Sequence, residues 1–124
     1  ILCERWQEGM EVHQIRRVRK TGNTILAVED NYYSPLAYSM LGEKDFQKSL
    51  SHNLLTYLER PITKIDNTNL VRIPTAEEAA LLSIQESEKI IEMIRWMYME
   101  EEEEPVYFAH VLFPSHVLEF PFLG

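Results

Sequence analysis

The chain has 124 residues, 45% of them hydrophobic and 26% charged, a balance that buries one core and leaves no room for two domains. Its net charge of -8 argues against the broad basic face on which nucleic-acid binding depends, although five of the twenty acids fall in the single run 100–104. The lone cysteine, Cys3, forms no internal disulfide and founds no cysteine metal site, and no apolar run reaches membrane-spanning length.

The first residue is Ile rather than Met, and no signal sequence is recognisable, so a cytoplasmic fragment of a longer protein is expected. Leu2, Cys3 and Trp6 stand at helical spacing, with Gly9 as a natural stop, which predicts a short helix over 1–8. Residues 11–20 and 24–30 are two apolar–polar runs around Thr21-Gly22-Asn23, the pattern of a β-hairpin. Alternation places His13, Ile15, Arg17 and Arg19 on one face and Val12, Gln14, Arg16 and Val18 on the other. The two guanidiniums of Arg17 and Arg19 then lie roughly 7 Å apart and repel unless an anion sits between them. A phosphate or carboxylate taking forked hydrogen bonds from both supplies that counter-charge. On the partner strand, Glu29 is expected on the face of Ile25 and Ala27, either as the ion-pair partner of the arginines or as an acceptor for a ligand hydroxyl. The plainer alternative is a solvated strand face with surface ion pairs.

Residues 31–39 are rich in aromatics and turn formers and read as an ordered loop, with Pro35 opposing a helix. One helical turn is expected over 43–47 and a helix over 49–59, where Leu50, Leu54, Tyr57 and Leu58 form a buried stripe and Ser49 stands at the N-cap. The free N–H groups of that first turn can bind an anion without any basic side chain, and His52, next to Ser51, is either a further donor or simply an exposed helical histidine. The alternative is that Ser49 and Ser51 simply cap and solvate a helix start.

Pro61 closes the helix, and residues 62–73 read as a strand with an irregularity around 66–69. Thr75-Ala-Glu-Glu78 has the spacing of a capping box and opens a short, Ala-rich helix over 76–82. Residues 88–99 carry the strongest strand signal. Ile90, Ile94, Trp96 and Tyr98 share one face, and Ile91, Met93, Met97 and Met99 share the other with Arg95, so a central strand covered on both sides is expected. The acids at 100–104 suit a solvated hairpin loop better than a metal cage. Residues 105–113 return as a strand, with His110 as a satisfied group rather than a base, and the apolar tail 114–124 packs on the domain or on a partner chain. Runs of strands with inserted helices predict an α+β fold: an antiparallel sheet covered by helices. No nucleophile stands beside a positioned base, no metal spacing occurs, and four glycines disfavour a glycine-built nucleotide loop, so no cofactor or metal is expected.

The order of motifs resembles the UTRA domain, the effector-binding half of HutC-type GntR transcriptional regulators, over nearly the whole chain, 1–124. The resemblance rests on Arg17-Val-Arg19, the Gly22 turn, Glu29, the loop around Pro35, Asp45 and Ser49-Leu50 opening a helix. It continues through 76–82 before Ile84, then Arg95-Trp-Met-Tyr98 and Pro105-Val106. It implies a chorismate lyase-like fold and a cleft in which Arg17, Arg19 and Ser49 hold the anionic end of an effector, often a sugar phosphate, with Ser51 and His52 beside them. Glu29 would accept a hydroxyl of the ligand body. It also implies a homodimer whose contact with DNA runs only through a winged-helix domain preceding this chain, and a role that is not enzymatic. Two departures from the family pattern occur, Ser51 in place of an aromatic and Phe113-Pro-Ser-His116 in place of an Arg-x-Asp-like segment. The competing expectation is a chorismate lyase-like enzyme acting on a small aromatic carboxylate, which would also use an arginine and a glutamate.

Overall fold

The computed structural model describes residues 4–41 and 60–119. Its strands are β1 (His13–Thr21), β2 (Thr24–Tyr33), β3 (Ile62–Arg72), β4 (Ile90–Met99) and β5 (Tyr107–Pro114). They form one sheet in the order β1-β2-β5-β4-β3, antiparallel at every step, and so the α+β expectation is met. Helices α1 (Pro35–Leu41) and α2 (Ala76–Leu82) and a 3-10 turn, Ser115–Glu119, complete the described elements. No helix among the described residues is long and apolar enough to cross a membrane.

Residues opposite one another across the ladders share a face, and two faces with different coverings result. On the front, Ala27, Tyr33, Met97, Tyr107, Ala109 and Val111 meet Ala37 and Leu41 of α1, with Ile15 and Met93 packed alongside. On the back, Val28, Ile90 and Leu112 meet Leu82 of α2. A second back patch joins Trp6, Trp96 and Phe108. Each large side chain so buried contributes about 1.5–3 kcal/mol. β4 lies between β3 and β5, and its two apolar sets divide between front and back as the alternation predicts.

Four local expectations are corrected. Residues 35–41 form a helix rather than a loop, because Pro35 takes the first helical position, where a missing N–H breaks no bond and φ is already set. The Ala37 N–H donates to Ser34 Oγ at 3.2 Å and caps the start. Of the helix expected over 1–8, residues 1–3 lie outside the described residues, residue 4 is in a 3-10 turn, and 5–9 bend and turn away as Trp6 is drawn under the sheet, where its Nε1 donates to the Pro105 carbonyl at 2.6 Å. β3 runs evenly through 66–69, and its one register shift falls between Ile62 and Lys64. A second shift, between Arg19 and Lys20, pairs Lys20 with Ile25 and carries Ile25 to the back cluster, away from the face of Glu29.

The capping box is present as its spacing predicts. Glu78 N–H donates to Thr75 Oγ1 at 3.1 Å, and Thr75 N–H donates to Glu78 Oε1 at 2.9 Å. Val117 is buried, so the start of the tail packs on the domain. The helices expected over 43–47 and 49–59, and the end of the tail at 120–124, lie outside the described residues.

Candidate functional site

Arg17, Arg19 and Glu29 share the front face. Arg17 stands directly opposite Glu29, and Arg19 stands opposite Ala27, a member of the front core. The bulge follows immediately after Arg19, so both arginines belong to the regular part of the hairpin, where alternation holds. Arg19 Nη1 lies 3.5 Å from Glu29 Oε2, and the Glu29 side chain is only 13% exposed against 41% for Arg19. A carboxylate offers about four lone-pair directions, so this long contact with Arg19 takes up only part of the acceptor capacity of Glu29 among the described residues.

Below this group the sheet surface is fixed by a buried polar pair. Asn31 is 2% exposed, its Oδ1 accepts the Tyr107 hydroxyl, and its Nδ2 donates to the Ile15 carbonyl at 3.4 Å. Tyr33, one row further along, lies within electrostatic reach of Arg17 and Glu29, and burial pushes its phenol far above the usual range, so it stays protonated. Val111 and Met93 continue the row of Arg17 and Glu29 across β5 and β4, giving the polar group an apolar floor.

Sequence reasoning left Arg95 out of the site. It stands opposite Ala109 on β5 and Asn67 on β3, which places it on the front. Its Nε donates to Asn67 Oδ1 at 2.9 Å, and its Nη2 lies 3.7 Å from Met93 Sδ. The signal was an arginine at the same parity as four apolar residues of a central strand, a place where a cation is costly unless it is used or paired. Three guanidiniums therefore share the front with the Glu29 carboxylate. Ser49, Ser51 and His52 lie outside the described residues.

The back face carries a separate chain of charges. Arg16 grips Asp30 through Nε at 2.7 Å and Nη2 at 2.9 Å, and this pairing holds the Asp30 carboxyl below its usual range. Arg72 bridges Glu78 of α2 and Glu92 of β4, at 2.7 and 3.0 Å. It pulls Glu78 down to about 2 and also lowers Glu92, whose Oε2 lies 2.6 Å from His110 Nε2. His110 is thus a partnered group, as expected; Arg72 ties α2 to the sheet, and Arg16 ties β1 to β2. A cleft of about 220 Å³ beside α2 is lined by Arg16, Asp30, Thr75, Glu77 and His110, whose charges are largely matched within the protein. No three His, Cys, Asp or Glu among the described residues gather as metal ligands.

The family model of the UTRA domain matches residues 5–118. The chain belongs to the UTRA domain family. The resemblance to the UTRA domain seen in the motif order is thereby borne out, and solved structures agree on the fold. The C-terminal domain of the histidine utilization repressor from Pseudomonas syringae pv. tomato superposes with a TM-score of 0.76 at 20% identity, over 90% of this chain and 77% of that one. PhnF from Mycobacterium smegmatis gives 0.74 at 23%, over 87% of this UTRA domain and 48% of that chain. YydK from Bacillus subtilis, described as a possible transcriptional regulator, gives 0.74 at 17%, over 88% and 47%. This UTRA domain therefore spans about half the length of those two. No curated protein gives a significant sequence match.

Proposed function

We propose that this UTRA domain is the effector sensor of a cytoplasmic bacterial regulator of the GntR/HutC type, taking a small organic anion, such as a sugar phosphate, on the front of its sheet. Arg17 and Arg19 hold the anionic end, Glu29 accepts a hydroxyl of the ligand body, and Ser49, Ser51 and His52 complete the cleft. Arg95 extends the cationic surface toward β4. The observation that carries this reading is the grouping of Arg17, Arg19 and Glu29 on one face above an apolar floor, in a chain whose family and structural neighbours belong to transcriptional regulators. In a domain with a net charge of -8, such a grouping provides a local attraction for anions that the whole molecule does not.

Switching follows from differential affinity. An effector that bridges β1 and the segment carrying Ser49 favours one arrangement of the two, and winged-helix domains paired in a homodimer follow that arrangement to or from DNA. The role proposed is regulatory rather than catalytic, in keeping with structural neighbours described as a repressor and a possible transcriptional regulator.

The test is a thermal-shift screen of phosphorylated sugars and other organic anions. A ligand that raises the melting temperature of the parent is expected to give no shift with the Arg17→Ala/Arg19→Ala variant, whose own melting temperature stays close to the parent's. Equal stabilisation of both proteins removes the arginines from the site.

A further inference from the structure

Arg5, Arg16, Arg19, Arg60 and Arg72 each face a carboxylate. Arg95 does not: among the described residues its contacts are neutral, Asn67 Oδ1 at 2.9 Å and Met93 Sδ at 3.7 Å. It is half-buried on the apolar front side of β4, where a guanidinium without a counter-charge is costly. The two contacts also fix its direction. Asn67 holds Nε, and the Nη2 corner is turned one row along the sheet, onto Met93. Met93 belongs to the row that runs Arg17, Glu29, Val111 and Met93 over β1, β2, β5 and β4. That row therefore has a guanidinium near each end, a carboxylate beside the first and an apolar stretch between. Adjacent strands lie about 4.8 Å apart, so Arg17 and Met93 are separated by about 14 Å at the backbone. A single phosphate does not bridge that span, whereas a ligand with an anionic group at each end does.

We propose that the effector carries two anionic groups, one held by Arg17 and Arg19 and the other by Arg95, with a hydroxylated body lying across Glu29 and Val111. This rests on the sensor reading above and names the chemical class of its ligand. Forked N–H donors stand at both ends, suited to phosphate or carboxylate. Glu29 accepts hydroxyls of the middle and repels a negative group placed there. Val111 and Met93 cover the C–H face of a sugar. The class is thus a sugar or sugar acid charged at both termini, such as a hexose bisphosphate, and Arg95 is the residue that distinguishes it from a sugar phosphate with a neutral far end.

Titration calorimetry on the full-length protein tests this with matched pairs: fructose 6-phosphate against fructose 1,6-bisphosphate, and glucose 6-phosphate against glucose 1,6-bisphosphate and 6-phosphogluconate. In the parent, a two-ended member is expected to bind at least about tenfold more tightly than its one-ended counterpart, the worth of one charge-assisted hydrogen bond. Arg95→Met, which keeps an unbranched apolar stem, is expected to erase that preference and leave the one-ended affinity unchanged. Arg95→Lys is expected to keep part of it, because a point charge replaces the fork. Circular dichroism melts check that both variants fold. Failure of every two-ended member to bind more tightly than its counterpart overturns the proposal without any variant. So does a preference that survives Arg95→Met, since the second anion then sits elsewhere. One-ended anions that bind the parent but not Arg17→Ala/Arg19→Ala uphold the sensor reading even when their two-ended counterparts gain nothing, so that result sinks this inference alone. A parent that binds no anion, in these pairs or in the wider screen, sinks both.

Discussion

Arg72 is the most heavily committed side chain of the back face, since one guanidinium faces two carboxylates on two different elements. Glu78 is held at about 2, below its usual 4.5, and Glu92 is shifted the same way, so both contribute stability above about pH 4.5 that fades as the pH falls toward 2. Arg72→Leu is therefore expected to cost about 2 kcal/mol at neutral pH and much less near pH 2, where Glu78 is already half-protonated in the fold and both carboxylates are protonated in the unfolded chain. Urea unfolding at the two pH values measures the difference. Asn31 and Tyr107 make a similar point without charge. Tyr107→Phe leaves a buried amide oxygen short of a donor and is expected to lower the unfolding free energy by about 1–3 kcal/mol, read in the same titration. None of these partnerships was legible in the sequence. Arg72 and Glu92 are 20 residues apart and Asn31 and Tyr107 are 76, separations that periodicity does not span.

The elements themselves were legible where their causes are local. The hairpin of β1 and β2 rests on alternation and on Gly22, whose φ of +60 lies in the left-handed region that a side chain disfavours. Gly22→Ala is expected to destabilise by about 1–2 kcal/mol in thermal unfolding. The capping box of α2 was equally plain, and Thr75→Ala is expected to cost about 1 kcal/mol by the same measurement, with the loss confined to protection of the first turn in hydrogen exchange. Where expectation failed, a competing rule won. Pro35 was read as a breaker, yet at the opening of a helix the same ring is an advantage, and only the Ser34 hydroxyl ahead of it hinted at that position. The displaced Ile25 shows the limit of period-two reasoning, because one skipped partner after Arg19 reverses every face beyond it.

Taken whole, the domain is one sheet with different chemistry on its two sides, and the arginine pair was legible because both residues precede the bulge. Arg95 was not, since its place in the same group depends on the order β1-β2-β5-β4-β3, which brings β4 within two strands of β2 although they are far apart in sequence. The proposed effector face and the face that carries Trp6 are separated by a single thickness of backbone, and neighbouring residues of β4 and β5 serve both. Met97 and Tyr107 line the front core, and Trp96 and Phe108 hold Trp6 on the other side. Trp6 and Trp96 are the chain's two tryptophans, set edge to face with centroids 5.2 Å apart. The whole indole emission of the domain thus originates at one spot, behind the proposed sensing surface, so the molecule carries its own optical gauge of whatever strains β4 and β5.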